Sequence, residues 1–319
     1  MPGRRPYRQI IDGVPRCAWL TPELFQKGLS FRAADGDVVQ STFPKSATHW
    51  IQYITQLIIN GGEHIDTYHD FVCNYRAIEY MDFADWKPVL PVRLLMTHLP
   101  LYRETMNEKS KYIYVARNPW DVCVSLFHMV TDLSVYQFQD GTFEEFFEAF
   151  VEGDVGYGSY FEHVAAGYAL KNEPNVFFAT YEELKKDTRG TVLRLAHFLG
   201  DSYGRALEED EQMLTNILEW SKPEHMRSVI VADMKSPKVS GWYEFHTRNK
   251  ARSRHGHDGD NGKYTVVRQA KVGNWKSYFT PELLARFEKK IQEEGDNAKF
   301  MQLWSGTREE AIAMFQASK

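Results

Sequence analysis

Short apolar runs alternate along this chain with longer segments whose apolar residues recur at helical spacing. The runs that are typical of short strands cover residues 37–43, 94–100, 111–116 and 175–181. After the first run, residues 50–59 carry an apolar side chain every three or four positions, which predicts a helix. Strands that alternate with helices favour a single α/β domain over residues 1–319, with a central, mostly parallel sheet flanked by helices on both faces.

Other segments differ in how clearly they are patterned. Further helices are predicted at 141–150, from 156, at 188–199, 205–220 and 281–295, and at 308–317. Residues 63–93 are aromatic and irregular, and we interpret them as a loop-rich part of the core or as an apolar wall for a flat substrate. Residues 1–36 form an N-terminal arm that either covers a ligand or is a tail, although Thr21 before Pro22 predicts a helix start there. The polar, glycine-rich residues 246–263 predict a mobile loop.

The composition narrows the class of protein. A chain of 319 residues with 43% hydrophobic residues is long enough for a large core. The formal net charge of −5 argues against a general nucleic-acid binder, which would usually be basic. No apolar stretch reaches the roughly 18 residues of a membrane span, and the first residues lack an apolar signal region. Cys17, Cys73 and Cys123 are far apart and lack metal-ligand spacing, which favours reduced thiols in a cytoplasmic protein.

The junction between the first strand and its helix is a candidate anion site. Lys45, Ser46 and Thr48 stand at this junction. The first N–H groups of a helix have no internal partner, and the helix dipole favours negative charge there. These features predict a loop that holds a phosphate or sulfate, with a plain helix cap as the alternative.

Two more strand ends carry candidate chemistry. His98 lies at the C-terminal end of the second run, at the edge where open α/β sheets bind their ligands, although a lone histidine is more often structural. Arg117 follows the third run and Ser125 lies on the next predicted helix, so the pair could hold a second phosphate. The alternative is a buried arginine that pairs with Asp121.

Four segments read in order as one set of motifs. Residues 42–50 are similar to the loop Thr-Tyr-Pro-Lys-Ser-Gly-Thr-Thr-Trp, and residues 97–100 to the end of Lys-Thr-His-Leu-Pro. Seven positions of residues 117–125 match Arg-Asn-Pro-Lys-Asp-Val-x-Val-Ser, and four positions of residues 268–276 match Arg-Lys-Gly-x-x-Gly-Asp-Trp-Lys. Over about residues 40–280 the chain therefore resembles the cytosolic sulfotransferase family.

The resemblance implies a nucleotide-kinase-like phosphate loop and a nucleotide donor. The donor is 3′-phosphoadenosine 5′-phosphosulfate (PAPS), which becomes 3′-phosphoadenosine 5′-phosphate (PAP), and no metal is required. The resemblance also implies that His98 is the catalytic base, that Lys45 stabilises the leaving oxygen and that Ser125 restrains Lys45. The implied nucleotide-binding residues are Lys45, Ser46, Ala47, Thr48, His49, Trp50, Arg117, Ser125, Tyr181, Val229, Val231, Arg268, Gln269 and Ala270.

The chain departs from the family at several of these positions. Ala47 replaces a glycine, so the loop must accommodate a Cβ that a left-handed site would not easily accept. Met96 replaces a lysine that is thought to help neutralise the transferring group. Val231 stands in place of an aromatic partner for adenine, and Gln269 in place of a cation near the 3′-phosphate. We expect the loss of this aromatic partner to weaken nucleotide binding without abolishing it, because Trp50 remains on one face of adenine.

The acceptor is expected to be a small aromatic molecule, because aromatic residues are abundant. A phenol or another flat alcohol fits best, and Asp132 could attract the amine of a phenolic biogenic amine such as a catecholamine. The alternative for Asp132 is a solvated side chain. Phe71, Tyr75 and Phe138 are candidate acceptor contacts, with the hydrophobic core as the alternative place for each.

Other assemblies and functions stay open at this point. Residues 276–285 match the family's dimer motif only in part, because Pro281 and Ala285 replace its valine and glutamate, so a homodimer by that route is doubtful. A non-catalytic PAP- or PAPS-binding protein would bind the nucleotide without turnover. A nucleotide kinase-like phosphoryl transferase would need a Gly-Lys-Ser/Thr loop, which is absent, and a carboxylate for Mg²⁺.

Overall fold

The computed structural model describes residues 4–82, 86–233 and 263–317. Its centre is a five-stranded sheet in which every pair of neighbouring strands is parallel, in the order β4-β5-β3-β6-β7. The strands are β3 (Val38–Ser41), β4 (Tyr75–Ala77), β5 (Leu94–Thr97), β6 (Lys111–Ala116) and β7 (Val176–Thr180). Their carboxyl ends meet at one edge, because Ser41 pairs with Thr97 and Tyr114, and Ala116 pairs with Thr180. The predicted parallel sheet is confirmed.

Two antiparallel pairs of strands lie outside this sheet. The first is formed by β1 (Arg8–Ile11) and β2 (Val14–Cys17), and the second by β8 (Val231–Asp233) and β9 (Lys263–Thr265). Of the predicted mobile loop at 246–263, only the last residue belongs to the described part of the chain, where it begins β9.

Helices connect and cover the strands. They are α1 (Pro22–Ser30), α2 (Thr48–Ile59), α3 (Tyr68–Cys73), α4 (Pro119–Asp132), α5 (Phe143–Val151), α6 (Tyr160–Ala169), α7 (Tyr181–Lys186), α8 (Thr188–Leu199), α9 (Asp201–Glu209), α10 (Glu211–Trp220), α11 (Pro223–Val229), α12 (Pro281–Glu293) and α13 (Ser305–Gln316). Short 3₁₀ helices cover Arg103–Thr105, Ser134–Tyr136, Asn274–Ser277 and Gly295–Trp304. No helix within these described ranges is long and apolar enough to cross a membrane.

The hydrophobic core lies on both faces of the sheet, as the sequence predicted. Along β6, Ile113 and Val115 join a cluster with α2 and α8, whereas Tyr114 and Ala116 join a cluster with α4, α5 and α12. This alternation follows from the two-residue period of a strand, which sends successive side chains to opposite faces. A strand that is buried on both faces belongs in the middle of a covered parallel sheet.

Two predictions of local structure need correction, and the structure decides between the alternatives that the sequence left open for the N-terminal arm. Residues 63–93 are not simply irregular, because they contain α3 and the edge strand β4. The helix predicted at 205–220 is two helices, because the Asp210 side chain accepts the N–H of Met213 at 2.9 Å and starts α10 there. The described part of the N-terminal arm is no loose tail, since it forms the β1–β2 hairpin and α1 and buries Cys17, Trp19 and Phe25.

Candidate active site

A cavity opens at the carboxyl edge of the sheet, with a free volume of about 1450 Å³ when its open mouth is included. The predicted site residues that line it are Lys45, Ala47, Thr48, His49, Trp50, His98, Arg117, Ser125, Tyr181, Arg268, Gln269 and Ala270. The predicted site residues outside this lining are Ser46, Phe71, Tyr75, Asp132, Phe138, Val229 and Val231.

The loop between β3 and α2 is shaped to expose backbone N–H groups. Lys45 and Ala47 both adopt left-handed conformations, with φ of 70° and 69°. Ala47 is the N-cap of α2 and its side chain caps no N–H group, so the first turn of the helix is free to bind an anion. A hydrogen bond across the loop joins β3 to the start of α2, because the side-chain amide of Gln40 donates to the carbonyl of Thr48 at 2.8 Å.

Positive charge is concentrated around this loop. Burial, together with the nearby charges of Arg117 and Arg268, lowers the pKa of Lys45 to about 8, against an opposing effect of Asp132. Arg117 is buried, and its guanidinium donates hydrogen bonds to the carbonyl of Lys45 at 3.2 Å and to the carbonyl of Lys271 at 3.0 Å. The same guanidinium lies 4.2 Å from the ring centre of Tyr181. Three cations that repel one another form a site that a polyanion stabilises.

The alternative of an Arg117–Asp121 pair receives little support. Their closest atoms are 3.9 Å apart, at the outer limit of an ion pair. The Asp121 carboxylate instead accepts the N–H groups of Gly273 at 2.8 Å and Trp275 at 3.1 Å, and a bond from Asn118 at 3.0 Å. Asp121 therefore fastens the segment after residue 271 to the start of α4, a role that the sequence did not reveal.

His98 is held as a neutral imidazole at the end of β5. Its Nδ1 lies 2.7 Å from the carbonyl oxygen of Thr42. A carbonyl can only accept, so Nδ1 carries the proton and Nε2 carries the lone pair. Burial, helped by the charge of Lys45 and opposed by the bond to Thr42, lowers the pKa of His98 to about 4. A neutral side chain with a free lone pair is what a general base requires.

His49 places a second imidazole in the cavity. Burial, together with the charges of Lys45 and His98, lowers its pKa to about 3, so this ring is also neutral. Its centre lies 6.0 Å from that of Phe71. The Nε2 atom of His49 is buried and finds no hydrogen-bond partner among the described residues.

Aromatic rings also lie close to His98. Tyr80 and Tyr157 line the cavity, with ring centres 6.3 Å and 6.0 Å from that of His98. Trp19 also lines it and donates from Nε1 to the hydroxyl of Tyr136 at 2.8 Å. No local pattern in the sequence marks these residues, because an N-terminal hairpin, a strand end and a loop bring them together.

The aromatic residues that we predicted as acceptor contacts lie elsewhere. Phe71 and Tyr75 are buried in the core cluster that includes α2, and their ring centres are 5.4 Å apart. Phe138 is buried in the other core cluster and packs 6.4 Å from Phe146. Asp132 is half-buried at the end of α4, and its charge acts on Lys45, Tyr264 and Arg268.

The far end of the cavity has flat surfaces suited to a base. The ring centres of Trp50 and Tyr181 are 5.6 Å apart, and the planes of the two rings are inclined at 66°. On β8 the residue that lines the cavity is Ala232, not Val231. Successive residues of a strand face opposite sides, which explains the difference of one position. Val229 ends α11 and is buried.

The chain matches known proteins over most of its length. The family described as "Sulfotransferase domain" matches residues 35–302. This chain belongs to the sulfotransferase family. It is 31% identical to the amine sulfotransferase of Oryctolagus cuniculus over 287 residues, and this alignment covers 88% of each chain. It is 30% identical over 270 residues to the 3-alpha-hydroxysteroid sulfotransferase of Cavia porcellus, which covers 82% of this chain and 85% of the relative.

Solved structures agree with this assignment at the level of the fold. The crystal structure of mouse sulfotransferase SULT7A1 complexed with PAP matches with a TM-score of 0.65 and 23% identity, over 94% of this chain and 99% of that one. Retinol dehydratase in a complex with retinol and PAP matches with a TM-score of 0.65 and 22% identity, over 88% and 87%. The predicted family, the α/β fold and the sulfotransferase class of this enzyme are confirmed.

The residues of this sulfotransferase fit a nucleotide with an anionic group at each end. Several buried polar atoms in the phosphate loop and its surroundings find no partner among the described residues. They are Ser46 Oγ, Trp50 Nε1, Arg117 Nε and Tyr181 Oη. Buried polar groups are nearly always hydrogen-bonded, so atoms of this kind point to a ligand that completes the site.

Proposed function

We propose that this sulfotransferase moves the sulfuryl group of PAPS to the hydroxyl of a small aromatic acceptor, in the first place a phenol. The observation that carries the proposal is that one cavity combines the cations Lys45, Arg117 and Arg268 with the neutral imidazole of His98, whose Nε2 bears a lone pair. When bound, PAPS supplies the sulfuryl group and leaves as PAP.

Each end of the donor has its own binding residues in this proposal. The loop N–H groups after Lys45, with Ser46 and Thr48, bind the 5′ end at the start of α2. Arg117, Ser125 and Arg268 bind the 3′-phosphate, and Trp50 with Tyr181 binds the base. Gln269 and Ala270 line the same wall without adding charge.

The chemical step rests on two side chains. His98 takes the proton of the acceptor hydroxyl at Nε2, and Thr42 keeps Nδ1 protonated so that Nε2 stays free for this. Lys45 supplies the positive charge that stabilises the oxygen left on the nucleotide. Ser125 lies in the same cavity, where we assign it the restraint of Lys45 before the acceptor arrives.

The acceptor lies against the aromatic rings beside His98. Trp19, Tyr80 and Tyr157 present flat surfaces and few polar groups, which favours a neutral phenol. A phenolic amine is the second candidate, because the charge of Asp132 reaches the cavity residues Lys45 and Arg268. Assays of neutral phenols against phenolic amines, with Asp132→Asn beside the parent, separate the two. Loss of activity toward the amines alone would support a role for Asp132 in acceptor choice.

The central experiment is an acceptor screen with radiolabelled PAPS and three proteins. The parent should transfer label, and His98→Ala should lose nearly all turnover while it still binds PAP. His197→Ala is the matched control, because His197 is an exposed histidine that pairs with Glu208 at 3.0 Å. Full activity of His98→Ala would remove the assignment of the base. Binding of PAP without turnover for any acceptor would favour a non-catalytic nucleotide-binding protein.

The proposed transfer needs no metal ion, because fixed cations neutralise the leaving group. Turnover should therefore persist when a chelator is added, whereas a kinase-like phosphoryl transferase would stop. A cytoplasmic location is part of the proposal. It fits the three cysteines, which all lie in the described part of the chain and form no disulfide.

A further inference from the structure

A buried carboxylate lies directly beside the proposed base. Glu79 follows the edge strand β4 and is only 1% exposed. Its Oε1 accepts the backbone N–H of His98 at 2.6 Å, and its Oε2 accepts the hydroxyl of Thr97 at 2.8 Å. The Thr97 hydroxyl in turn accepts the N–H of Leu99 at 3.0 Å. One carboxylate therefore organises three consecutive residues of the turn that carries the imidazole.

Glu79 has no cation to compensate its burial. Among the residues that the structure describes, it forms no ion pair, and burial raises its pKa to about 7 against the effect of its hydrogen bonds. Helix α1 closes over it, since a Cβ on Gly28 would lie 3.0 Å from the Cβ of Glu79. Uncompensated burial of a carboxylate is costly, and a purely apolar side chain would pack here without that cost.

The main-chain carbonyl of His98 is also held. The Nε2 of His163 lies 3.1 Å from the carbonyl oxygen of His98, and the hydroxyl of Tyr114 lies 2.8 Å from Nδ1 of His163. A carbonyl only accepts, so His163 donates from Nε2. The Tyr114 hydroxyl, which faces Nδ1 of His163, also donates to the His163 carbonyl at 2.9 Å. The N–H and the C=O of His98 are thus fixed by different elements, and its ring by Thr42 on a third.

We propose that Glu79 is the positioning residue of the catalytic base. It fixes the turn after β5 so that Nδ1 of His98 meets the Thr42 carbonyl and Nε2 keeps its lone pair for the acceptor. This inference rests on the proposed role of His98. Glu79 touches the backbone of His98 and not its ring, so it acts by geometry and takes no proton from the acceptor.

The test compares Glu79→Gln with the parent and with Glu173→Gln. Glu173 is the control because it lies at the surface and pairs with the exposed Arg103. Glutamine has one acceptor oxygen where Glu79 uses two, so it cannot accept from both His98 and Thr97. A misplacement of about 1 Å can cost roughly 10²-fold in rate, so kcat of Glu79→Gln should fall by up to about 10²-fold. The Kd for PAP and the KM for the acceptor should stay within about twofold of the parent, because neither binding surface includes Glu79.

Two further readouts distinguish positioning from folding. On a His98→Ala background, Glu79→Gln should lower the residual rate no further, because its effect passes through the missing imidazole. If Glu79→Gln does not fold, Thr97→Val and Thr97→Ser replace it. Valine removes the hydroxyl that Glu79 holds, and we expect about a tenfold loss of kcat. Serine keeps that hydroxyl and should keep the parent rate.

Nitrogen-15 NMR of the His98 ring measures its tautomer directly and so tests the proposal without any assay of turnover. The parent should show a protonated Nδ1, and Glu79→Gln should show a mixture of tautomers. If the parent turns over and Glu79→Gln changes neither kcat nor the tautomer, the positioning role is wrong. If the parent is inert with every acceptor while the tautomer still changes, the proposed function fails and the positioning role stands. A parallel rise in the Kd for PAP would also overturn the positioning role.

Discussion

The guanidinium of Arg117 donates a hydrogen bond to the main-chain carbonyl of Lys45 at 3.2 Å. A second donor of the same group binds the carbonyl of Lys271 at 3.0 Å. One side chain thus joins the phosphate loop after β3, the strand end after β6 and the segment that carries Arg268. Because Arg117 also lowers the pKa of Lys45, the two proposed anion sites are linked by structure and by charge.

The affinity for PAP should fall as the pH rises through about 8. A lysine is charged below its pKa, and the pKa of Lys45 in the free protein is about 8. An anion stabilises the charged form, so binding raises this pKa and takes up a proton where free Lys45 has begun to lose it. Above pH 8 we expect a loss of up to roughly tenfold in affinity per pH unit. Calorimetry between pH 6.5 and 9, in buffers of different ionisation enthalpy, measures both the affinity and the proton uptake.

Lys45→Met should bind PAP more weakly and lack this pH dependence. Lys109→Met is the control, since Lys109 is an exposed lysine that pairs with Asp35 at 2.9 Å. An affinity of the parent that is constant from pH 7 to 9 would contradict the assignment of Lys45.

The imidazole of His98 should stay neutral well below the pH at which an ordinary histidine becomes charged. Burial disfavours the charged form and lowers its pKa to about 4, so the neutral form persists through pH 6 and 5. Nitrogen-15 or carbon-13 NMR titration of histidine-labelled protein follows this directly, and the spectrum of His98→Ala assigns the signal. A titration centred near the ordinary value of about 6.5 would show that water or a charge reaches this ring in solution.

Replacing Ala47 with glycine should stabilise the protein. Ala47 has φ of 69°, a conformation that costs an L-residue roughly 1–2 kcal/mol, whereas glycine adopts it freely. The larger entropy of glycine in the unfolded chain offsets part of this gain, which leaves about 0.5–1 kcal/mol. We therefore expect Tm to rise by roughly 1 °C in thermal unfolding followed by circular dichroism.

Ala206→Gly provides a control of opposite sign. Ala206 lies within α9, where an exchange of alanine for glycine costs about 1 kcal/mol. A fall in Tm for both variants would show that the Ala47 backbone is not strained in solution.

Features of this protein that arise within a short stretch of chain were predictable from the sequence. The strand β6 and the start of α2 follow from the order of apolar and polar residues over fewer than a dozen positions. Lys45 and Arg117 each follow a strand, and parallel strands bring such residues to one edge. The position of the anion-binding half of the cavity therefore follows from the order of residues along the chain.

The acceptor half was not predictable in the same way. Tyr80 lines the cavity and Phe71 does not, although the two lie nine positions apart in one aromatic segment. What separates them is their packing against α2 and the N-terminal hairpin, a long-range property that composition does not encode. Glu79 is also a long-range case, because its partner His98 belongs to the neighbouring strand.

Trp19 should influence the acceptor and leave the donor unaffected. It comes from the N-terminal arm, lines the cavity and lies 6.0 Å from the ring of Tyr136. An aromatic contact contributes roughly 0.5–1.5 kcal/mol, so Trp19→Ala should lower kcat/KM for a phenol by about 2- to 12-fold. The Kd for PAP, measured by calorimetry, should not change. Trp19→Phe keeps a ring but loses the bond to Tyr136, so we expect it to lie between Trp19→Ala and the parent.

Ile10→Ala is the matched control for this experiment, because Ile10 lies on β1 of the same N-terminal arm and is 62% exposed. It should leave both kcat/KM and the Kd for PAP unchanged, since its side chain does not line the cavity. Equal losses in acceptor turnover and PAP affinity for Trp19→Ala would mean that the arm supports the whole cavity and does not select the acceptor. A loss confined to the acceptor would assign the N-terminal arm a direct part in substrate binding, because only contacts with the acceptor can change one affinity and spare the other.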